Sequence, residues 1–273
     1  MRLTPGSAIL LTMLIPGSAH VRLGKPMRGL LAFLSCVGLF FAGWMIVKDR
    51  IWYFALFEPF SLLKPLLDIA AIQLLPESPN LGCTIVAALM RVEATPDVLR
   101  EIRAPVPLEH MGLFFTGASG VVAALWAVDA HWWAQERPTS AVSPPYAAMV
   151  SWLVPGAGHV MAGQRQKGLL VGGAVVAVFA LGLLVSSGHG VDRPQLSAWW
   201  IGEVLFGGGT LFCSLVTAPM RYADLPDMFD LGVALCTVAG FMNLIVMIDA
   251  YTVAEGVAEG VAESEIKKGQ EES

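Results

Sequence analysis

Charged residues are scarce in this chain, and their scarcity excludes most kinds of protein. Only 14% of the 273 residues are Asp, Glu, Lys or Arg, while 55% are hydrophobic. Soluble globular domains carry about 25% charged residues, so this composition does not suit a water-facing surface. Disorder is excluded as well, because disordered chains are poor in apolar residues. The class that remains is a multi-pass membrane protein, whose helices the lipid bilayer solvates.

Clustered basic residues are also missing. The net charge is −5, whereas a nucleic-acid-binding surface needs a concentrated basic face. We therefore expect no nucleic-acid partner. Much of the acidity lies in 255–273, which we predict to be an acidic, flexible tail.

Paired cysteines and catalytic signatures are absent from the sequence. The four cysteines, Cys36, Cys83, Cys213 and Cys236, lie in apolar stretches and form no Cys-x-x-Cys pair. Neither a zinc site nor a disulfide framework is indicated. No phosphate-binding loop, nucleophile elbow or metalloprotease motif occurs. We therefore expect no enzyme activity, no metal and no cofactor.

An internal repeat is the main positive feature of the sequence. Nine of the eighteen residues from 14 to 31 recur at a constant offset of 139 residues. The shared turn motif consists of Pro16, Gly17, His20 and Gly24 in the first copy and of Pro155, Gly156, His159 and Gly163 in the second. A second, weaker repeat lies near the end of each half, where Val-Asp-Ala at 128–130 and Ile-Asp-Ala at 248–250 are 120 residues apart. Internal repeats of this length are common in membrane proteins.

The predicted fold class is an all-α integral membrane protein, a tandem-repeat helical bundle. The predicted divisions are a first membrane repeat (1–136), a Pro-rich linker (137–145), a second membrane repeat (146–254) and the tail (255–273). Each half offers four apolar segments: A at about 6–22 and 146–162, B at about 29–47 and 168–186, C at about 69–90 and 196–217, and D at about 111–133 and 230–251. The first segment C is irregular, and 51–66 before it is interpreted as an interfacial amphipathic insertion.

Two topologies remain open. If all eight segments span the membrane, both termini face outward and the repeats are parallel. The A–B turns and C–D loops then place nine basic residues on one side, which the positive-inside rule makes cytoplasmic. If segment A is short or re-entrant, six spans remain and the repeats are inverted. The charge distribution favours the eight-segment topology only slightly.

The turn motif and the end of segment D resemble an uncharacterised bacterial family of multi-pass membrane proteins, a domain of unknown function. The second half carries the resemblance through Pro155-Gly-Ala-Gly-His159, Gly163 and the glycine-rich helix that ends in Asp249-Ala-Tyr251. More distantly, the A–B hairpin is similar to a two-transmembrane-helix domain. The resemblance implies a multi-pass protein of the bacterial cytoplasmic membrane and supplies no activity.

The first half departs from this family pattern at three positions. Ala19 stands in place of the second glycine of the turn, Ala123 stands where the second half has Asn243, and His131 stands where it has Tyr251. Whatever the asparagine and the tyrosine contribute is therefore expected of the second half alone.

The histidines of the turn motif have two interpretations. Proline and glycine free backbone groups that must be satisfied locally in lipid, so His20 and His159 are interpreted as capping their own turns. Alternatively, both histidines join Asp129 and Asp249 in a metal or proton site. The eight-segment topology argues against that site, since it places the histidines and the aspartates on opposite sides of the membrane.

The other polar residues in apolar surroundings form a candidate intramembrane polar site, which comprises Glu203, Asn243, Asp129 and Asp249. The two aspartates are predicted at the membrane–water boundary beside an aromatic belt, with a binding or proton-handling role as the alternative. Asn243 is interpreted as a contact between helices. Glu203 either faces a partner or a cavity, or extends to the interface.

A break accompanies Glu203. Three glycines at 207–209 interrupt segment C, and Pro76 and Pro79 interrupt the corresponding part of the first half. Paired breaks mark the binding site in many transporters, whereas close packing through small residues is the simpler alternative.

Two functions follow from these features. The first is a non-enzymatic scaffold or assembly component, with the lipid bilayer and other membrane proteins as partners. The second is a small-solute or ion transporter with a site between the repeats. A mid-membrane cavity that contains Glu203 favours transport, and a solid bundle favours the scaffold. A lipid-processing enzyme is a third hypothesis, which requires His159 and a carboxylate to face one pocket.

Overall fold

The structure is a computed structural model that describes residues 3–52, 74–90, 95–103, 106–135, 137, 142–194, 197–217 and 226–271. These residues form helices joined by short turns, and no strand occurs among them. The α-helices are α1 (Pro5–Leu14), α2 (Ser18–Arg22), α3 (Pro26–Val47), α4 (Leu81–Leu89), α5 (Pro96–Arg103), α6 (Glu109–Ala134), α7 (Pro144–Leu153), α8 (Ala157–Met161), α9 (Arg165–Val185), α10 (Ser197–Glu203), α11 (Gly207–Val216) and α12 (Phe229–Glu271). The amphipathic insertion predicted at 51–66 lies outside the described residues except for its first two positions.

Four helices, α3, α6, α9 and α12, are long and apolar enough to cross a membrane. Large apolar side chains stand on their outer faces, among them Met45, Leu170 and Leu184, which are 74%, 75% and 78% exposed. Extended apolar surfaces of this kind suit lipid contact better than water. The described fold is therefore all-helical, with four long apolar helices that indicate a membrane protein.

The long helices form two antiparallel pairs, α3 with α6 and α9 with α12. Near one end of the first pair, Arg28 of α3 contacts Asp129 of α6. Near the other end, Gly43 of α3 lies directly against the backbone of Gly112 of α6. The corresponding contacts of the second pair join Lys167 to Asp249 and Gly182 to Gly232. Glycine at these crossings lets the helix backbones approach closely.

The two helix pairs run in the same direction. The rings of Trp132, at the end of α6, and Tyr251 of α12 meet edge to face with centroids 6.2 Å apart. Just beyond, Arg137 forms an ion pair of 2.6 Å with Glu255 of α12. Helices α6 and α12 therefore reach the same side of the bundle, so the halves are parallel rather than inverted.

Segment A is too short to be the span that the eight-segment topology requires. Helices α1 and α7 have ten residues each, which is about 15 Å at the α-helical rise. The hydrocarbon core of a bilayer is about 30 Å thick. Neither helix is long enough by itself to cross the membrane, which is the length expected of a short or re-entrant segment A.

The Pro-Gly turn reverses the chain within segment A, directly after α1 in the first half and after α7 in the second. Gly17 and Gly156 have φ angles of 83° and 81°, a left-handed conformation that glycine adopts readily. A Cβ atom at Gly17 would also overlap the carbonyl of Gly29, and one at Gly156 would overlap that of Gly168. Both the backbone conformation and the close contact with the next helix therefore require glycine here.

Segment C is not a continuous helix either. In the second half, residues 204–206 separate α10 from α11. In the first half, α4 follows a turn at 74–80. The beginnings of α4 and α11 abut the ends of the segment A helices, because Gly82 lies against the carbonyl of Leu14 and Gly208 against that of Leu153. Short helices of A and C thus meet inside the bundle, an arrangement that neither predicted topology contained.

Candidate functional site

His20 and Asp129 lie together at one end of the first helix pair. The His20 Nε2 atom is 3.0 Å from Asp129 Oδ2, and Arg28 Nη1 donates to both carboxylate oxygens at 2.9 and 3.0 Å. His20 is fully buried and Asp129 is 3% exposed. An imidazole and a guanidinium therefore share one buried carboxylate.

The second half contains the same arrangement with lysine in place of arginine. Asp249 Oδ2 lies 2.6 Å from His159 Nε2 and 2.6 Å from Lys167 Nζ. His159 is fully buried, but 40% of the Asp249 side chain is exposed. Lysine presents a point charge where arginine can present a planar fork.

These contacts correct the prediction that the histidines and the aspartates lie on opposite sides. That prediction depended on segment A crossing the membrane. Because segment A turns back after ten residues, its histidine stays on the side where segment D ends. Each histidine meets the aspartate of its own half, and the described part of the chain holds no group of three or more His, Cys, Asp or Glu side chains that could bind a metal ion.

Each His–Asp–cation cluster joins three elements of one half. The histidine comes from the short helix that ends segment A (α2 or α8), the cation from the first turn of α3 or α9, and the aspartate from near the end of segment D. Charge-assisted hydrogen bonds are strong where water is excluded. If Nε2 carries the proton of each neutral imidazole, Nδ1 is left as an acceptor, and among the described residues it has no partner in either His20 or His159. The clusters are therefore suited to fastening the hairpin against the helix pair.

Sequence reasoning missed the cations of these clusters. Arg28 and Lys167 belong to the nine basic residues of the A–B turns and C–D loops, whose only expected role is to orient the protein in the membrane. A signal was present, because the two residues are separated by the same offset of 139 as His20 and His159.

Loss of the buried carboxylate is expected to destabilise the protein more than loss of the exposed one. Asp129→Asn leaves Arg28 without its buried partner, and hydrogen bonds to charged groups contribute about 1.5–3 kcal/mol. Asp249→Asn breaks a contact that solvent screens, and such pairs contribute about 0–1 kcal/mol. Thermal unfolding of the two variants in detergent measures the difference, and equal losses would contradict it.

A fully buried arginine–glutamate ion pair lies between the halves and was not predicted. Arg193 Nη1 and Nη2 donate to Glu77 Oε1 and Oε2 at 2.6 and 3.1 Å. Glu77 is fully buried and Arg193 is 1% exposed. The guanidinium also lies over the ring of Trp200, 4.5 Å from its centroid. This pair joins the turn before α4 to the segment between α9 and α10.

Glu203 follows Arg193 by ten residues in the sequence, but its side chain has a different environment. It is 1% exposed, so it does not extend to the interface. The Thr237 hydroxyl and the backbone of Asp192 lie against its carboxyl group. Its Oε2 atom has no hydrogen-bond partner among the described residues. An ionised carboxylate without a cation is costly in such a place.

Asn243 lies at the break in the second segment C. Its Nδ2 atom donates to the carbonyl of Leu205 at 2.9 Å and to that of Trp152 at 3.3 Å. The Trp152 indole in turn donates to the carbonyl of Val204 at 2.9 Å. The carbonyls that the break frees are thus bound by side chains of α7 and α12.

A cavity of about 450 Å³ lies between the two halves. Its walls are apolar apart from the tyrosine, and the lining residues are Leu75, Pro76, Pro79, Val121, Ala124, Leu125, Val128, Ala148, Ile201, Val204, Leu205, Leu244, Met247, Ile248 and Tyr251. Glu203 is not among these residues, nor are the members of the His–Asp clusters. The structure therefore does not bring the four residues of the candidate intramembrane polar site into one pocket.

Comparison with known proteins identifies a family without a known role. A family model described as a family of unknown function (DUF6677) matches the chain twice, at residues 7–142 and 146–262. The chain belongs to this family. No curated protein and no solved structure matches it significantly.

Proposed function

We propose that this member of the DUF6677 family is a non-enzymatic scaffold or assembly component of the bacterial cytoplasmic membrane, built from two copies of one unit. The observation that carries the proposal is that buried charged side chains bind the chain itself and do not line the cavity between the halves. Buried charged side chains such as Arg193 and Asp129 bind other segments of the same chain, and the cavity between the halves is apolar.

Equivalent contacts support the two-copy construction. Gly120 of α6 lies against the backbone of Pro76 and Glu77, and Gly240 of α12 lies against that of Gly202 and Glu203. The two buried glutamates thus take equivalent places beneath equivalent glycines. The double match of the family model and the two His–Asp–cation clusters support the same construction.

The interior argues against polar solute transport. In many transporters, the backbone groups at a helix break face the substrate or the coupling ion. Here Trp152 and Asn243 bind the carbonyls at the second break, and Glu203 lies outside the cavity lining. A lipid-processing enzyme is not favoured either, because the His159–Asp249 pair lies outside the cavity lining.

The topology we propose has four spans, with segments A and C entering the membrane without crossing it. The A–B turns then lie on the same side as the ends of segment D, and the C–D loops lie on the other. The nine basic residues that suggested a cytoplasmic side are divided between both sides. The positive-inside rule therefore no longer assigns an orientation.

Single cysteines that replace exposed residues are expected to separate the three topologies. In a background without the four native cysteines, Arg22→Cys, Gln135→Cys and Gln164→Cys should react with a membrane-impermeant maleimide from one side, and Ser187→Cys from the other. Eight spans would place residues 22 and 164 opposite 135 and 187. Six spans would place residues 22 and 187 opposite 135 and 164. Either of these patterns would overturn the four-span topology.

Purification from native membranes tests the scaffold role. The expected result is a complex of defined stoichiometry between this chain and at least one other membrane protein, together with proteoliposomes that show no solute or ion flux above protein-free vesicles. A chain that purifies alone, or flux that requires the protein, would overturn the proposal.

A further inference from the structure

We propose that the cavity between the halves binds one acyl chain of a membrane phospholipid. The inference goes beyond the scaffold role and stands on the shape and chemistry of the cavity. It assigns a ligand-binding site at the interface of the two helix pairs.

The walls of the cavity exclude a polar ligand. Leucine, valine, proline and methionine side chains form most of the lining, and the Tyr251 hydroxyl is the one polar side-chain group among the lining residues. A polar ligand would lose its hydrogen bonds to water without replacement, which costs several kcal/mol per group. A hydrocarbon chain loses none. The cavity volume also lies within the range of about 300–1,000 Å³ that is usual for ligand pockets.

The irregular backbone around the cavity offers few free hydrogen-bonding groups to a ligand. Pro76 and Pro79 line it from the first break and have no N–H group. Val204 and Leu205 line it from the second break, where the Trp152 indole and the Asn243 amide bind their carbonyls. These partners satisfy two carbonyls of the second break that would otherwise face hydrocarbon unpaired.

The cavity fits within the depth of one membrane leaflet. On α6 its wall runs from Val121, at the middle of the helix, to Val128 near the end. On α12 it runs from Leu244 to Tyr251. Seven residues of α-helix extend about 10 Å, and one leaflet contributes about 15 Å of hydrocarbon. The lining residues of α6 and α12 follow the helix axes, which is also the direction of an acyl chain in a bilayer.

The two ends of the cavity match the two ends of an acyl chain. The turn at 74–80 and the end of α10 form the inner end, since Gly120 lies against Pro76 at the middle of α6 and Gly240 lies against Gly202 at the corresponding level of α12. Tyr251 marks the outer end, and tyrosine is typical of the membrane–water interface. A spanning helix of a partner protein would have to continue past the breaks, whereas an acyl chain ends at the bilayer midplane.

The alternatives to hydrocarbon are unfavourable. Water does not remain in a cavity that offers it so few polar partners. An empty cavity would leave the lining side chains without dispersion contacts on one side. In a membrane, the acyl chains of the surrounding lipid are the groups available to fill it.

A photoreactive phospholipid tests the assignment. The full-length protein is reconstituted in phosphatidylglycerol and phosphatidylethanolamine vesicles that contain a trace of phosphatidylcholine with a diazirine in the middle of one chain. After illumination, mass spectrometry maps the adducts. The expected result is at least fivefold enrichment of adducts on lining residues such as Leu125 and Met247 over exposed residues such as Leu170 and Leu184.

Two matched variants and one competing probe complete the test. Ala124→Phe fills the cavity and should abolish the enrichment, whereas Ala177→Phe, on the outer face of α9, should leave it unchanged. Enrichment that survives Ala124→Phe, or adducts confined to the exposed faces of the wild type, would overturn the proposal. Enrichment with a diazirine fatty acid but not with the phospholipid would overturn the phospholipid assignment. If Ala124→Phe does not fold, the ratio of adducts on lining residues to adducts on exposed residues of the wild type tests the proposal by itself.

Discussion

Arg193→Met is expected to lower the free energy of unfolding by about 3–5 kcal/mol. The substitution leaves Glu77 fully buried with no cation, and an isolated buried carboxylate is far more costly than a paired one. It also removes the guanidinium from the ring of Trp200. Thermal or denaturant unfolding in detergent, followed by tryptophan fluorescence, measures the loss.

Two controls separate this effect from the mere loss of a charge. Arg100→Met removes an arginine whose side chain is 83% exposed and which pairs only loosely, at 3.8 Å, with Asp97; no measurable change is expected. The double variant Glu77→Leu/Arg193→Met replaces both partners with apolar groups and should recover most of the stability. If the double variant is as unstable as the single one, the ion pair is not the cause.

Gly240→Ala is expected to destabilise the protein strongly although it adds only one methyl group. A Cβ atom at this position would overlap the carbonyl oxygen of Gly202, so α12 and α10 would have to move apart. Overpacking of this kind costs about 1–3 kcal/mol and occasionally more. Because Gly240 also lies against the break that forms the inner end of the cavity, photolabelling of the lining residues should fall together with the melting temperature.

The same helix provides the control for this substitution. Gly256 of α12 has open space around its Cβ position. Gly256→Ala should therefore stabilise the exposed helix, by up to about 1 kcal/mol according to helix propensities. Opposite signs at the two positions are the expected result. A loss at Gly256 as large as that at Gly240 would show that helix packing is not responsible.

The ion pair and the glycine contacts have a common consequence for the cavity. Arg193 holds the first break through Glu77, and Gly120 and Gly240 hold both breaks against the long helices. The breaks are thus fixed at the middle of the bundle, where they limit the depth of the cavity. Variants at these positions are therefore expected to affect stability and lipid binding together.

Several features could be predicted from the sequence because they depend on composition and local pattern. The low charge content is typical of helices in lipid. Apolar runs long enough for a span identify α3, α6, α9 and α12, and the Pro-Gly pairs at 16–17 and 155–156 identify the turns that follow α1 and α7. These signals are local, since each follows from the conformational or solvation preference of the residues that carry it.

Other features depended on contacts between residues far apart in the chain. His20 and Asp129 both stand out in the sequence, but the eight-segment topology separates them, whereas the folded chain brings them to 3.0 Å. Glu77 and Arg193 are 116 residues apart, and neither carries a local sign of its partner. Asn243 was noticed for its polarity alone, and its contacts with the carbonyls at a distant break could not be inferred from spacing.

The sequence by itself determined that this chain forms apolar helices, where most of them lie and which polar residues are unusual within them. Only the tertiary structure decided how many helices have the length of a span, which charges pair and where a cavity remains. The physical reason is that helix formation and lipid solvation act on neighbouring residues, whereas close packing and buried ion pairs depend on the relative positions of whole helices. The pattern of apolar residues along a helix indicates which face is buried. It does not indicate which residue of another helix covers that face.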